Sequence, residues 1–160
     1  MEKLLTERAA AFTGHRDIDP SEYQALASRL FLTVDRLYRE GVTTFYAGGA
    51  LGFDTIAAVT VLNMKINYPH LKLIVAVPCP DQAKSWADAD RALYESILRR
   101  ADEVVTVSPR YIRGCMQIRN RYMVDRADTL IAYVKRDSGG SAYTRNYAIK
   151  KGLTIIDVTE

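Results

Sequence analysis

Two glycine-rich runs in this chain lie where an apolar stretch gives way to a helical pattern. The first, Gly48-Gly49-Ala50-Leu51-Gly52-Phe53-Asp54, follows residues 42–47. The second, Ser138-Gly139-Gly140-Ser141-Ala142-Tyr143-Thr144, follows residues 129–134. Glycine allows close approach of backbone to a ligand, and the unpaired N–H groups at a helix N-terminus hold phosphate or carboxylate with the help of the helix dipole. The hydroxyls of Ser141 and Thr144 add donors to the second run. A third run, Gly14-His15-Arg16, ends the apolar stretch 9–13. An arginine fork suits phosphate, and an imidazole titrates near neutrality. Each run also has a plainer reading, since a glycine turn can serve packing alone and a histidine at a strand end can be a hydrogen-bonded structural residue. Neither glycine run fits G-x-G-x-x-G or G-x-x-x-x-G-K-[ST].

Other residues with chemical potential are more scattered. Arg119-Asn120-Arg121 stands near an expected helix start and reads equally as a phosphate fork or a solvated face. Trp86 is an aromatic that can stack on a nucleobase or cover a helix–sheet seam. Asp54 fits an N-cap; as a catalytic carboxylate it has one companion candidate, Asp125. Asp88 and Asp90 are two apart and share no helix face. No clustered metal-ligand set and no serine–histidine–acid order stands out, so no metal or cofactor is identified; what the loops suit is an anion, phosphate or carboxylate.

The elements that must position these groups alternate along the chain. Strands are expected at 9–13, 42–47, 71–77, 103–107, 129–134 and 154–158, and helices between them at about 54–67, 85–99, 118–126 and 143–151. The first helix opens at Asp19-Pro20-Ser21-Glu22, with Asp19 as N-cap and Glu22 in capping-box position. Leu26, Leu30, Val34 and Leu37 give it one apolar face, and Gly41 closes it. The 54–67 helix is apolar round most of its circumference, which places it inside a core or against another subunit. The strands are near-continuous apolar runs, the pattern of a parallel sheet covered on both faces. The expectation is one α/β domain over 1–160, doubly wound and Rossmann-like, with a mainly parallel sheet of about six strands. Ligands of such sheets collect beyond the carboxyl ends of the strands, where the strand order reverses. All three glycine-bearing runs fall on that edge, as does Pro78-Cys79-Pro80-Asp81-Gln82.

Composition narrows the partners. The 160 residues are 48% hydrophobic and 26% charged with a formal charge of +3, ordinary for a globular domain and too mild to single out nucleic acid. Cys79 and Cys115 fit no metal spacing and read as reduced thiols. No secretory leader or membrane-length apolar run is apparent, so a cytoplasmic protein without a membrane partner is expected.

Four stretches in one order, "FTGHR" at 12–16, "GGALGFDTIAA" at 48–58, "RNRYMVDRADTLIA" at 119–132 and "GGSAYTRNYAIKKG" at 139–152, resemble the SLOG superfamily, which joins the DNA-processing DprA/Smf proteins with the LOG hydrolases. "PCPDQAKSW" is most similar to its stand-alone YpsA-like branch. The resemblance implies a Rossmann-like fold whose loops hold a nucleotide or a nucleic-acid phosphate. Carried over by position, the ligand-binding residues are Gly14, His15 and Arg16; Gly48, Gly49, Gly52 and Asp54; Gln82 and Trp86; Arg119, Asn120 and Arg121; and Gly139, Gly140, Ser141 and Thr144. LOG-type hydrolases carry a glutamate in the last loop, where this chain reads Tyr143-Thr144-Arg145-Asn146. The resemblance implies a binding or sensor domain for a small nucleotide-derived ligand, with nucleotide or ADP-ribose N-glycoside cleavage and DprA-like single-strand binding as alternatives, and a homo-oligomer.

Overall fold

The computed structural model describes residues 8–160. β1 (Arg8–Gly14) leads through a short 3-10 turn (Pro20–Glu22) into α1 (Tyr23–Arg39). β2 (Val42–Ala47), α2 (Phe53–Met64), β3 (Lys72–Val77), α3 (Asp88–Arg100) and β4 (Glu103–Thr106) follow. α4 (Cys115–Asp125), β5 (Thr129–Tyr133), α5 (Gly140–Lys150) and β6 (Thr154–Asp157) complete the chain. All six strands are parallel, in the order β4-β3-β2-β1-β5-β6. The order reverses at β1, where Gly14 pairs with Tyr133 at the carboxyl ends of β1 and β5.

Two apolar layers hold the sheet. On one face Phe12, Phe45, Leu73, Val75 and Ile131 meet α1, α2 and α3; on the other Ala11, Ala76, Leu130 and Ala132 meet Met123 and Val124 of α4 and Ala142 and Ala148 of α5. Leu26, Leu30 and Val34 of α1 are fully buried, each stabilising the fold by about 1.5–3 kcal/mol. The all-round apolar character of α2 has its explanation within the chain. It lies on the sheet and packs against both α1 and α3, burying Phe53, Ala57, Ala58, Val61, Leu62 and Met64.

Three expectations change. Asp19 caps the 3-10 turn through Ser21 N–H at 3.0 Å, but Glu22 forms no capping box. Its carboxylate instead accepts from Tyr133 Oη at 2.5 Å and Lys135 Nζ at 3.0 Å, which ties the start of α1 to the end of β5. A tertiary partner outcompetes the local bond. α4 begins at Cys115 rather than near 118, so Arg119-Asn120-Arg121 lies inside the helix and not at its start. α5 begins at Gly140, three residues earlier than its apolar pattern indicates. Glycine and serine are poor helix formers in the interior, and only the φ of +96° at Gly139 lets the chain turn into the helix there.

Candidate anion-binding cleft at the switch point

A cleft of about 310 Å³ opens beyond the carboxyl ends of β1 and β5. That is at the lower end of the ~300–1,000 Å³ of small-molecule sites, and the position is where doubly wound sheets take their ligands. Thr13, Gly14, His15 and Arg16 form one wall, with Arg136 beside them. Ala50 and Asp54 form a second wall, Met116, Arg119 and Asn120 a third, and Gly140 and Ser141 a fourth.

The hydrogen bonds of His15 decide what Ser141 can do. Its Nε2 lies 2.8 Å from the backbone N of Lys135, a donor only, so Nε2 must be the unprotonated nitrogen. The neutral ring then carries its proton on Nδ1, which donates to Ser141 Oγ at 3.0 Å. With that acceptance filled, the Ser141 O–H is left to donate into the cleft. Arg136 Nη2 sits 3.2 Å from the same Nδ1 but gains no acceptor there, because both atoms bear hydrogens. Its guanidinium is paired only loosely with Asp17, at 3.4 Å.

Burial, and then the charge of Arg136, hold the His15 imidazole below its ordinary value near 6.5; Asp17 works the other way and Lys135 adds a smaller push down. The folded state therefore binds its proton less readily than the unfolded chain. Stability from this group is present above about pH 6.5 and falls as the pH drops through the lowered folded value. A His15→Gln variant is expected to show a shallower loss of melting temperature between pH 7 and pH 5 than the wild type. Parallel slopes would mean that the ring is not held neutral by the fold.

Three further groups face the cleft as donors. No side chain caps α5, and its first residues, Gly140 and Ser141, line the cleft with the N–H groups of the first helical turn uncapped. Among the described residues Arg16 forms no salt bridge; it donates to Met116 Sδ at 3.7 Å, and its charge acts on Asp54 at longer range. Backbone N–H groups at a helix start, a hydroxyl set to donate and two under-paired guanidinium groups make a site for an anion. Among the described residues no cluster of His, Cys, Asp and Glu could hold a metal ion.

The glycines of the 48–54 loop have a different role. A Cβ at Gly52, whose φ is +77°, would sit 2.2 Å from the backbone oxygen of Arg16. Phe53 N–H donates to His15 O at 3.0 Å, so this glycine lets the two loops lock together. At Gly48 a Cβ would lie 2.7 Å from both Arg119 Nη1 and Asp54 Oδ2, so the missing side chain makes room for a buried charge pair. Arg119, 4% exposed, donates to the carbonyls of Gly48 and Ala76. Asp54, 7% exposed, accepts from Ala50 N–H at 3.2 Å. It is not the N-cap: Gly52 holds that position, and Asp54 bonds back across the loop.

The matching family model, described as the YspA SLOG family, covers residues 11–154 and therefore every wall of this cleft. The chain belongs to the YspA SLOG family. A UPF0398 protein of Halalkalibacterium halodurans is 36% identical over 107 residues, which span 66% of this chain and 57% of that protein's length. Among solved structures, DNA processing protein A of Streptococcus pneumoniae superposes with a TM-score of 0.72 at 18% identity, covering 97% of this chain and 51% of its own. The Helicobacter pylori protein of the same name, studied for its single-stranded DNA binding mode, gives 0.59 at 22% identity over 99% of this chain and 72% of its own. At such identities the likeness is one of fold.

Not all of the family's motif positions in this chain reach the cleft. Gly14, His15, Arg16, Asp54, Arg119, Asn120, Gly140 and Ser141 line it; Gly48, Gly49, Gly52 and Gly139 lie behind or beside it. Thr144, 1% exposed, donates to Gly140 O at 2.9 Å within its own helix. Arg121 points away and donates to Tyr143 Oη at 2.9 Å. Trp86 packs edge-on against Tyr94, and Gln82 donates to the same Tyr94 Oη at 3.2 Å, its own Oε1 buried without a partner among the described residues. Asp125 lies outside the cleft, accepting from Tyr147 Oη at 2.7 Å. Arg136 and Asp17, by contrast, line the cleft and stand outside the motifs. The signal for Arg136 was present, since it lies just past the carboxyl end of β5, ahead of the glycine run that draws the eye.

Proposed function

We propose that this protein binds a small phosphate-bearing ligand, a nucleotide or nucleotide-derived compound, in the cleft between β1 and β5. The observation that carries the reading is the convergence of the uncapped α5 start, the Ser141 hydroxyl, Arg16 and Arg136 on one small space. The start of α5 and the Ser141 hydroxyl are held before any ligand arrives, whereas the exposed Arg16 and Arg136 side chains order on binding. Calorimetric titration with AMP, ADP-ribose and inorganic phosphate tests it. Arg16→Ala removes a charge-assisted contact and is expected to weaken binding about tenfold or more, and Ser141→Ala about three- to tenfold. Binding untouched by both changes, or absent for every phosphate, would sink the reading.

A second reading is single-stranded DNA, favoured by the fold likeness to the two DNA processing proteins. It predicts oligonucleotide affinity that falls steeply with salt. Against it stand the small volume of the cleft and the engagement of Arg121 with Tyr143.

A further inference from the structure

The anion-binding groups leave Met116 without a role. The chain has four methionines, of which Met1 lies outside the described residues. Met64 and Met123 are core residues, 4% and 1% exposed. Met116 is only partly buried and lines the cleft from the second residue of α4. Two guanidinium groups converge on its sulfur: Arg16 Nη2 lies 3.7 Å from Sδ and Arg119 Nη2 3.8 Å. A thioether is a weak acceptor, so these charged donors are poorly matched there. An oxygen bonded to that sulfur would give both of them a strong acceptor within ordinary hydrogen-bonding reach.

The geometry points to Met116 as a site of reversible oxidation, its sulfoxide drawing Arg16 away from the anion. The oxidant is a peroxide. A sulfur lone pair attacks one peroxide oxygen, and the S–O bond forms as the O–O bond breaks. The departing hydroxide takes the remaining hydroxyl proton and leaves as water, so sulfur loses two electrons and the peroxide gains two. Arg16 faces the same space and stabilises the negative charge that develops on the leaving oxygen. The reverse step, carried out by sulfoxide reductases, takes two electrons from a dithiol, which becomes a disulfide, and releases the oxygen as water. The thiols do not compete, because Cys79 and Cys115 are 2% and 0% exposed. In the sulfoxide, Arg16 is tied to the new oxygen and the cleft loses one of its two under-paired cations. The effect on binding rests on the anion-binding reading above; the selectivity of the oxidation does not.

The experiment treats the full chain with dilute hydrogen peroxide and follows each methionine over time by peptide mass mapping. Met116 is expected to gain one oxygen ahead of Met64 and Met123. Calorimetric titration with inorganic phosphate should then show binding about tenfold weaker than before treatment, through loss of a charge-assisted contact. Incubation with a dithiol and a sulfoxide reductase should restore it. In Met116→Leu, a volume-conserving change that packing tolerates, treatment should leave the affinity of the variant where it was. Arg16→Ala should likewise show little further loss on treatment, since the arginine that the sulfoxide captures is gone. Oxidation of Met116 no faster than that of the two core methionines overturns the inference, as does an equal loss of affinity in treated Met116→Leu. If phosphate binds and oxidation of Met116 leaves its affinity unchanged, this inference alone fails. If the untreated protein binds no phosphate compound, the anion reading fails and takes the switch with it.

Discussion

Gly52→Ala is expected to lower stability by about 2–4 kcal/mol, the sum of a left-handed backbone forced on a Cβ-bearing residue and a clash that no rotamer relieves. The atom met at 2.2 Å is the backbone oxygen of Arg16, so relief requires the end of β1 to move away from α2. The Phe53 N–H to His15 O bond would lengthen with it. In a domain of this size the change corresponds to a fall in melting temperature of roughly 5–15 °C. The same substitution at Gly140 meets open space, stands at a helix start and has an ordinary φ. There alanine should hold stability or raise it by up to about 1 kcal/mol, through the lower entropy of the unfolded chain. Thermal denaturation of both variants checks the contrast. If Gly52→Ala melts with the wild type, the two loops are not locked as described.

This contrast also shows where sequence reading succeeded and where it stopped. The strands were legible because strands covered on both faces carry no charged residues and are rich in apolar and β-branched ones, as residues 42–47 and 129–134 are. The edge of the sheet that bears the site followed from the alternation alone. What glycine means at a given position was not legible. Gly48 and Gly52 are needed because Arg119 and the Arg16 backbone come close to them from distant parts of the chain. Gly139 turns a local corner, and Gly140 starts α5 at the cleft. A single sequence gives all four the same letter. Arg119 and Arg121 show the same limit. Two residues apart on α4, one is buried under Gly48 and Ala76 while the other reaches Tyr143. Their difference comes from the rotation of the helix against the sheet, which in turn depends on its start at Cys115. Glu22 was misjudged for a related reason, since its partners Tyr133 and Lys135 lie more than a hundred residues away.

The buried pair supplies the other large effect. Arg119→Met should destabilise the protein by about 3–5 kcal/mol, because it removes the donors to the Gly48 and Ala76 carbonyls and strips Asp54 of its counter-charge. Asp54→Asn should act in the opposite sense at neutral pH. Burial raises the Asp54 carboxyl above the ordinary aspartate range, and the attraction of Arg119 only partly offsets it. A carboxyl whose folded value is raised contributes stability that is present below the unfolded value, near 3.9, and lost as the pH climbs through the folded value. The wild type and Asp54→Asn should therefore melt close together at about pH 4 and separate as the pH rises to 7, with the asparagine variant the more stable. A gap of the opposite sign at pH 7 would mean that Arg119 outweighs the desolvation. With the expected sign, the fold keeps a buried acidic side chain on the lining of a cleft at a net cost to stability. Stability gives no reason for that arrangement, and a cost of this kind beside a cleft is the mark of a functional position.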